Sequence, residues 1–310
     1  MRRRPSNMAT ATAAIMAAVL VVTGSDARVY GTPPGDPDTP PELTVIAPQS
    51  NPARMPEAPP SQPAAAFDGL DARTRQATAE AAKSGADIST VVMDRNTGRI
   101  VSNGDNQPFP LASVAKLFIA DDLLLQESKG QTTLSPADRK SLDVMLRSSD
   151  DSAAESFWNR SGGSAIISRV TARYGLKGTT APDNGHWDVT LSTVSDLVRY
   201  YDLLLDGSGG LPPQQANVIM GNLAQSTPTG VDGYPQRFGI PEGIYAEPVA
   251  VKQGWFCCWN GANQLHLSTG VIGPNRRYVM AIGSLDPDDD AAARTTITQA
   301  VKTMFPGGKV

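Results

Sequence analysis

Apolar positions recur at helical spacing along residues 70–83, 113–129, 135–147, 151–160, 164–174, 192–206, 212–223 and 290–305, which predicts helices there. Gly130 follows the second of these as a C-terminal stop. Alternating patterns over 88–94, 99–102, 249–258, 264–272 and 278–284 predict strands. The first two are joined by the turn Arg95-Asn96-Thr97-Gly98. Two strands therefore come first, helices fill the middle, three strands follow and one helix ends the chain. That order predicts an α+β domain, in which a five-stranded antiparallel sheet closed from both termini is flanked by helices and carries an inserted all-α subdomain.

The pattern fails before residue 67, and composition explains why. Arg2, Arg3 and Arg4 precede an uncharged apolar run over 8–22, and Ser25-Asp26-Ala27 offers small residues for cleavage. Residues 1–27 are read as an export signal peptide, with an uncleaved membrane anchor as the competing reading. Val22-Thr23-Gly24-Ser25 looks like a lipoprotein signal with serine in place of the acceptor cysteine, so thioether lipidation at Ser25 is excluded for want of a thiol. Residues 28–66 are read as a disordered Pro-rich linker, because 11 of the 25 prolines fall within 28–65 and almost no aromatic or periodic apolar residues accompany them. Residues 67–310 form the expected folded domain, long enough for one core with a subdomain.

Charge narrows the function classes. With 27 Lys+Arg against 31 Asp+Glu, the formal net charge is −4, so there is no basic footprint for a nucleic acid. Two histidines and one adjacent cysteine pair do not supply a conventional zinc ligand set. A G-x-x-x-x-G-K phosphate loop is also lacking. No metal, cofactor or nucleic-acid partner is expected.

Three motifs carry candidate chemistry. Ser113-Val114-Ala115-Lys116 is Ser-x-x-Lys at a loop-to-helix boundary, and the i, i+3 spacing puts both side chains on one face. A partly desolvated lysine there can be a neutral amine that removes the hydroxyl proton; alone, the pair also fits an N-cap serine beside a solvated lysine. Ser149-Asp150-Asp151 opens a later helix, and Lys252-Gln253-Gly254 lies on the third strand.

In this order the motifs resemble the Ser-x-x-Lys, Ser-Asp-Asn and Lys-Thr-Gly set of the serine β-lactamase and penicillin-binding protein superfamily. The resemblance spans about residues 70–305. More narrowly, the chain is similar to the Ala-rich, LppW-type envelope lipoproteins of mycobacteria. The superfamily resemblance implies Ser113 as acylated nucleophile, Lys116 as its base and Ser149 as proton relay to the leaving nitrogen. It implies a substrate-binding set of Asp151, Lys252, Gln253, Gly254 and Trp255, with Lys252 attracting a carboxylate and the N–H groups of Ser113 and Trp255 forming an oxyanion hole. The implied ligand is a D-Ala-D-Ala-like peptidoglycan peptide or a β-lactam, met outside the cytoplasm, with a possible N-terminal membrane tether.

The chain departs from the family at points that weaken turnover. Asp151 stands for Asn, and a carboxylate accepts hydrogen bonds without donating them. Gln253 stands for Thr or Ser, and its larger amide is expected to fill the carboxylate's place. Residues 176–191, where class A β-lactamases hold the deacylating Glu, contain only Asp183 and Asp188 as acids. The interval from Ser113 to Ser149 is also shorter than in those enzymes, so one wall of the cleft is expected to be missing. Two functions stay open: a weakly turning over serine hydrolase, and a non-catalytic envelope protein that binds cell-wall peptide or a partner with the same fold.

The remaining reactive residues favour structural readings. Cys257 and Cys258 are read as one buried and one partly exposed thiol, with a vicinal disulfide or redox switch as the alternative. His266 is expected in a sheet and His186 on the surface. Trp255 and Trp259 are expected to pack.

Overall fold

The computed structural model describes residues 67–310. The expected signal peptide and linker lie outside the described residues. No described helix is long and apolar enough to cross a membrane.

In chain order the elements are α1 (Leu70–Ala82), β1 (Asp87–Asp94), β2 (Arg99–Ser102), β3 (Phe109–Pro110), a 3₁₀ turn (Ala112–Ala115), α2 (Lys116–Ser128), α3 (Pro136–Ser148), α4 (Asp151–Arg160) and α5 (Ala165–Tyr174). A second 3₁₀ turn (Trp187–Val189), β4 (Leu191–Ser192), α6 (Val194–Asp206), α7 (Pro213–Leu223) and α8 (Ile240–Gly243) follow. The chain then closes with β5 (Val249–Trp259), β6 (Asn263–Ile272), β7 (Tyr278–Asp286) and α9 (Asp290–Met304). The five long strands form one antiparallel sheet in the order β2-β1-β7-β6-β5, as the expected α+β architecture requires.

The sheet is buried on both faces, and the pleat sorts its side chains between two cores. On β7, Val279, Ala281 and Leu285 join the core shared with the helical block, while Met280 and Ile282 join the core under α1 and α9. All nine residues of β7 are buried, so this central strand reads as a continuous run instead of an alternating one. α2 is likewise enclosed. Every residue from Ala112 to Leu125 is buried, which suits a helix that runs through the middle of the domain.

Local chemistry sets the ends of the helices around the site. Ser135 and Asp138 form a reciprocal capping box at α3, with Pro136 at its first turn. Asp150 caps α4 by accepting from Ala153 N at 3.0 Å. Two elements escape the periodicity. The short β3–β4 pair joins Phe109 to Ser192 and Pro110 to Leu191, tying the approach to Ser113 to the end of the 176–191 stretch. Ser113 itself sits in a 3₁₀ turn ahead of α2, where a regular α-helical first turn is predicted.

Candidate active site

Three segments converge on one buried cluster. The first is the 3₁₀ turn and the start of α2. Lys116 Nζ donates to Ser113 Oγ at 2.7 Å, to the Ser149 carbonyl at 2.7 Å and to Asp151 Oδ1 at 2.5 Å. Lys116 is 0% exposed, and Ser113 is buried beside it.

The second segment is the α3–α4 junction. Ser149 closes α3 with φ 56° and ψ 38°, a left-handed conformation that costs a non-glycine residue roughly 1–2 kcal/mol. This bend turns its carbonyl to Lys116 and its hydroxyl to Lys252 and Gln236. Because Asp150 is taken up in capping α4, the next residue, Asp151, is free to pair with Lys116.

The third segment is β5. Lys252 Nζ donates to Ser149 Oγ. Gly254 is required next to it, since a Cβ there would stand 2.7 Å from the Leu111 carbonyl and 3.2 Å from Val114 Cγ2. Only a bare α-carbon lets β5 approach the turn that carries Ser113 this closely.

The pleat of β5 corrects the expectation for Gln253. Ala250 and Phe256 pack toward the helical core, whereas Val249, Val251 and Trp255 pack toward the α1/α9 core. Lys252 and Gly254 belong to the first face and Gln253 to the second. Gln253 is 1% exposed; its amide donates to the Phe238 carbonyl at 2.6 Å and accepts from Ser268 Oγ at 2.9 Å. Its amide is thus spent on protein partners on the face opposite Lys252. Trp255, two residues on, stacks its ring on Tyr234 with centroids 4.4 Å apart. Its ring, partly exposed, packs on that neighbour.

From the stretch without Glu, Trp187 approaches the cluster. Lys116 Nζ lies 4.6 Å from the centroid of its ring, a cation–π arrangement that favours the charged amine. Neither Asp183 nor Asp188 bonds to Lys116. Opposing forces act on both lysines. Burial pushes the Lys116 amine below its ordinary value, and Asp151, backed by Asp150 and Asp232, recovers only part of that loss. Burial and then the charge of Lys116 push Lys252 well below its ordinary value.

The other candidates sit elsewhere. His186 is exposed at the head of the second 3₁₀ turn. His266 is buried on β6, with Nε2 2.6 Å from the Tyr234 hydroxyl, which donates to Asp290. Cys257 and Cys258 are both exposed and bonded to each other as a vicinal disulfide; the expectation of one buried thiol gives way, because the end of β5 runs out past the sheet's cover. Trp259 packs, partly buried, against the helical core. Trp187 and Gln236 carry no motif, and only their contacts reveal them. Among the described residues no group of His, Cys, Asp and Glu is arranged to hold a metal ion.

Comparison with known proteins bears on the fold and the family. The profile of the Beta-lactamase enzyme family matches residues 72–142. The fold resembles the TLA-3 extended-spectrum β-lactamase, with a TM-score of 0.62 at 12% identity over 76% of this chain and 98% of that one. It also resembles a β-lactamase from Chitinophaga pinensis, with a TM-score of 0.60 at 17% identity over 74% and 97%. A penicillin G acyl-enzyme of a PBP-A mutant matches with a TM-score of 0.63 at 18% identity over 76% and 95%. Along the sequence, the proteins named lipoprotein LppW in Mycobacterium bovis and Mycobacterium tuberculosis are 56% identical over 100% of both chains. At that identity and coverage the chain belongs to the LppW family, and its described domain has the β-lactamase/transpeptidase-like fold.

Proposed function

We propose that this chain is an exported serine acyl-enzyme-type protein that reacts with D-Ala-D-Ala-like peptides or β-lactams and turns them over weakly. The observation that carries this reading is the 2.7 Å contact between Lys116 Nζ and Ser113 Oγ inside a buried site. There burial lowers the lysine's affinity for its proton. Ser113 Oγ bonds to the ligand carbonyl carbon and its proton passes to Lys116. The carbon–nitrogen bond breaks and the leaving nitrogen takes a proton on the Ser149 side, leaving an ester on Ser113. Deacylation needs an activated water, and the groups nearest Lys116 include no spare carboxylate for that work. Asp151 is occupied by the lysine and Trp187 is apolar.

Intact-mass analysis after exposure to a reactive penicillin tests this, with Ser113→Ala alongside. A one-to-one adduct that forms slowly, persists and is absent in Ser113→Ala supports the proposal. Fast multiple turnover overturns the weak-turnover part. No adduct at all favours the second reading, a non-catalytic peptide-binding envelope protein. The Asp151–Lys116 ion pair is the observation on that side.

Export rests on the basic and apolar leader and on the LppW relatives, which are named lipoproteins. The only cysteines are Cys257 and Cys258, so mature protein is expected to begin near Arg28 without an N-terminal lipid. N-terminal sequencing of exported material checks this; a product still beginning at Met1 would identify the leader as a membrane tether.

A further inference from the structure

Gln236 makes a contact to the site that no motif announces. It is 2% exposed and ends the turn that follows α7. Its Nε2 donates to the Arg147 carbonyl at 3.1 Å and to the Thr227 carbonyl at 3.0 Å. A third partner is Thr227 Oγ1 at 3.1 Å, but the two carbonyls are acceptors only. The amide therefore cannot be turned over, because a flip would set its oxygen against two carbonyl oxygens. Its Oε1 must face Ser149 Oγ, 2.6 Å away.

A carboxamide oxygen also only accepts. The single hydroxyl hydrogen of Ser149 must then lie on its contact with Gln236. Lys252 Nζ, which donates to the same Oγ, takes up one lone pair. What remains of Ser149 for a ligand is an acceptor.

We infer that Gln236 is a positioning residue that holds the Ser149 hydroxyl hydrogen away from the ligand, so that expulsion of a nitrogen leaving group is held back. The inference rests on the proposed acylation of Ser113. In that reaction the Ser113 Oγ–carbon bond forms, the carbon–nitrogen bond breaks and the Ser113 proton goes to Lys116. The departing nitrogen needs a proton of its own. Ser149 can supply one only after leaving Gln236, with Lys252 replacing what Ser149 gives up. Losing that buried hydrogen bond slows the step by about tenfold or more. A thiolate leaving group needs no proton and is insensitive to this hold.

The test compares Ser113 acylation by a β-lactam with acylation by a small acyl thioester, using intact mass. Gln236→Met keeps the side chain's length and removes the acceptor. It is expected to speed β-lactam acylation by about tenfold or more, to leave thioester acylation unchanged, and to lose the gain when Ser149→Ala is added. A structural role alone would slow both substrates together. If Gln236→Met does not fold, Gln236→Leu serves: it is shorter, equally offers Ser149 no acceptor, and is expected to raise the β-lactam to thioester ratio in the same way. Thioester acylation with no change in the β-lactam to thioester ratio in the variant overturns the inference alone. No adduct from either substrate, in any variant, overturns the proposed acylation and the inference with it.

Discussion

Asp151 approaches Lys116 from the solvent side: Oδ1 stands 2.5 Å from Nζ, with the carboxylate 71% exposed and the lysine fully buried. The pair is unequal. The carboxylate keeps much of its hydration, while the amine has lost all of its own and depends on Asp151, Ser113 and the Ser149 carbonyl for compensation. Asp151 therefore works mainly on the lysine, favouring its charged form against burial.

Replacing that carboxylate by an amide should release the base. In Asp151→Asn the opposing charge is gone, burial acts on Lys116 with less restraint, and its pKa falls further. The neutral amine then becomes more abundant. Ser113 acylation by a penicillin should accelerate, and the midpoint of its pH–rate profile should move to lower pH. The rate of adduct formation by mass spectrometry, followed across pH, checks both. An unchanged or slower rate would show that Asp151 does not restrain the base.

Gly254→Ala should damage the site through the backbone. The added Cβ meets the Leu111 carbonyl at 2.7 Å, so β5 or the 3₁₀ turn must move. A loss of about 1–3 kcal/mol is expected from such overpacking, together with a fall in Ser113 reactivity larger than the stability change explains. Chemical denaturation and adduct kinetics on the same sample separate the two. Native stability and native kinetics would mean that the close approach is dispensable.

His266 should make the fold sensitive to mild acid. Burial lowers its pKa from the ordinary 6.5 to about 4, against a smaller upward pull from Asp290. As pH falls from about 6.5 toward 4, the unfolded chain takes a proton that the folded chain refuses, and stability drops by at most about 3 kcal/mol. His266→Gln should flatten the dependence of Tm on pH in that window. NMR titration of the wild-type imidazole should show it neutral at pH 6. A midpoint near 6.5 would remove the basis for this prediction.

Much of this protein was legible along the chain. Period-3.6 and period-2 patterns located the long helices and strands, because an element exposes its own side-chain spacing to any solvent or core it meets. Strands at both ends of a helical block indicated one antiparallel sheet, and motif order drew Ser113, Lys116, Ser149 and Lys252 together. Even the corrected placement of Gln253 follows from period 2. If Lys252 faces the cleft, its neighbour on a strand cannot.

Tertiary structure alone decided the rest. Gln236 meets Ser149 across 87 residues of sequence, Trp187 meets Lys116 with no spacing rule between them, and Gln253 finds Ser268 only once β5 and β6 are in register. Partner choice for a buried polar group depends on which acceptors are left unsatisfied around it after packing, and local periodicity carries no record of that. The charge balance at Lys116 has the same origin. The sequence supplies a lysine and a nearby aspartate, but burial, set by the whole surrounding core, determines how far the amine is pushed from its ordinary state.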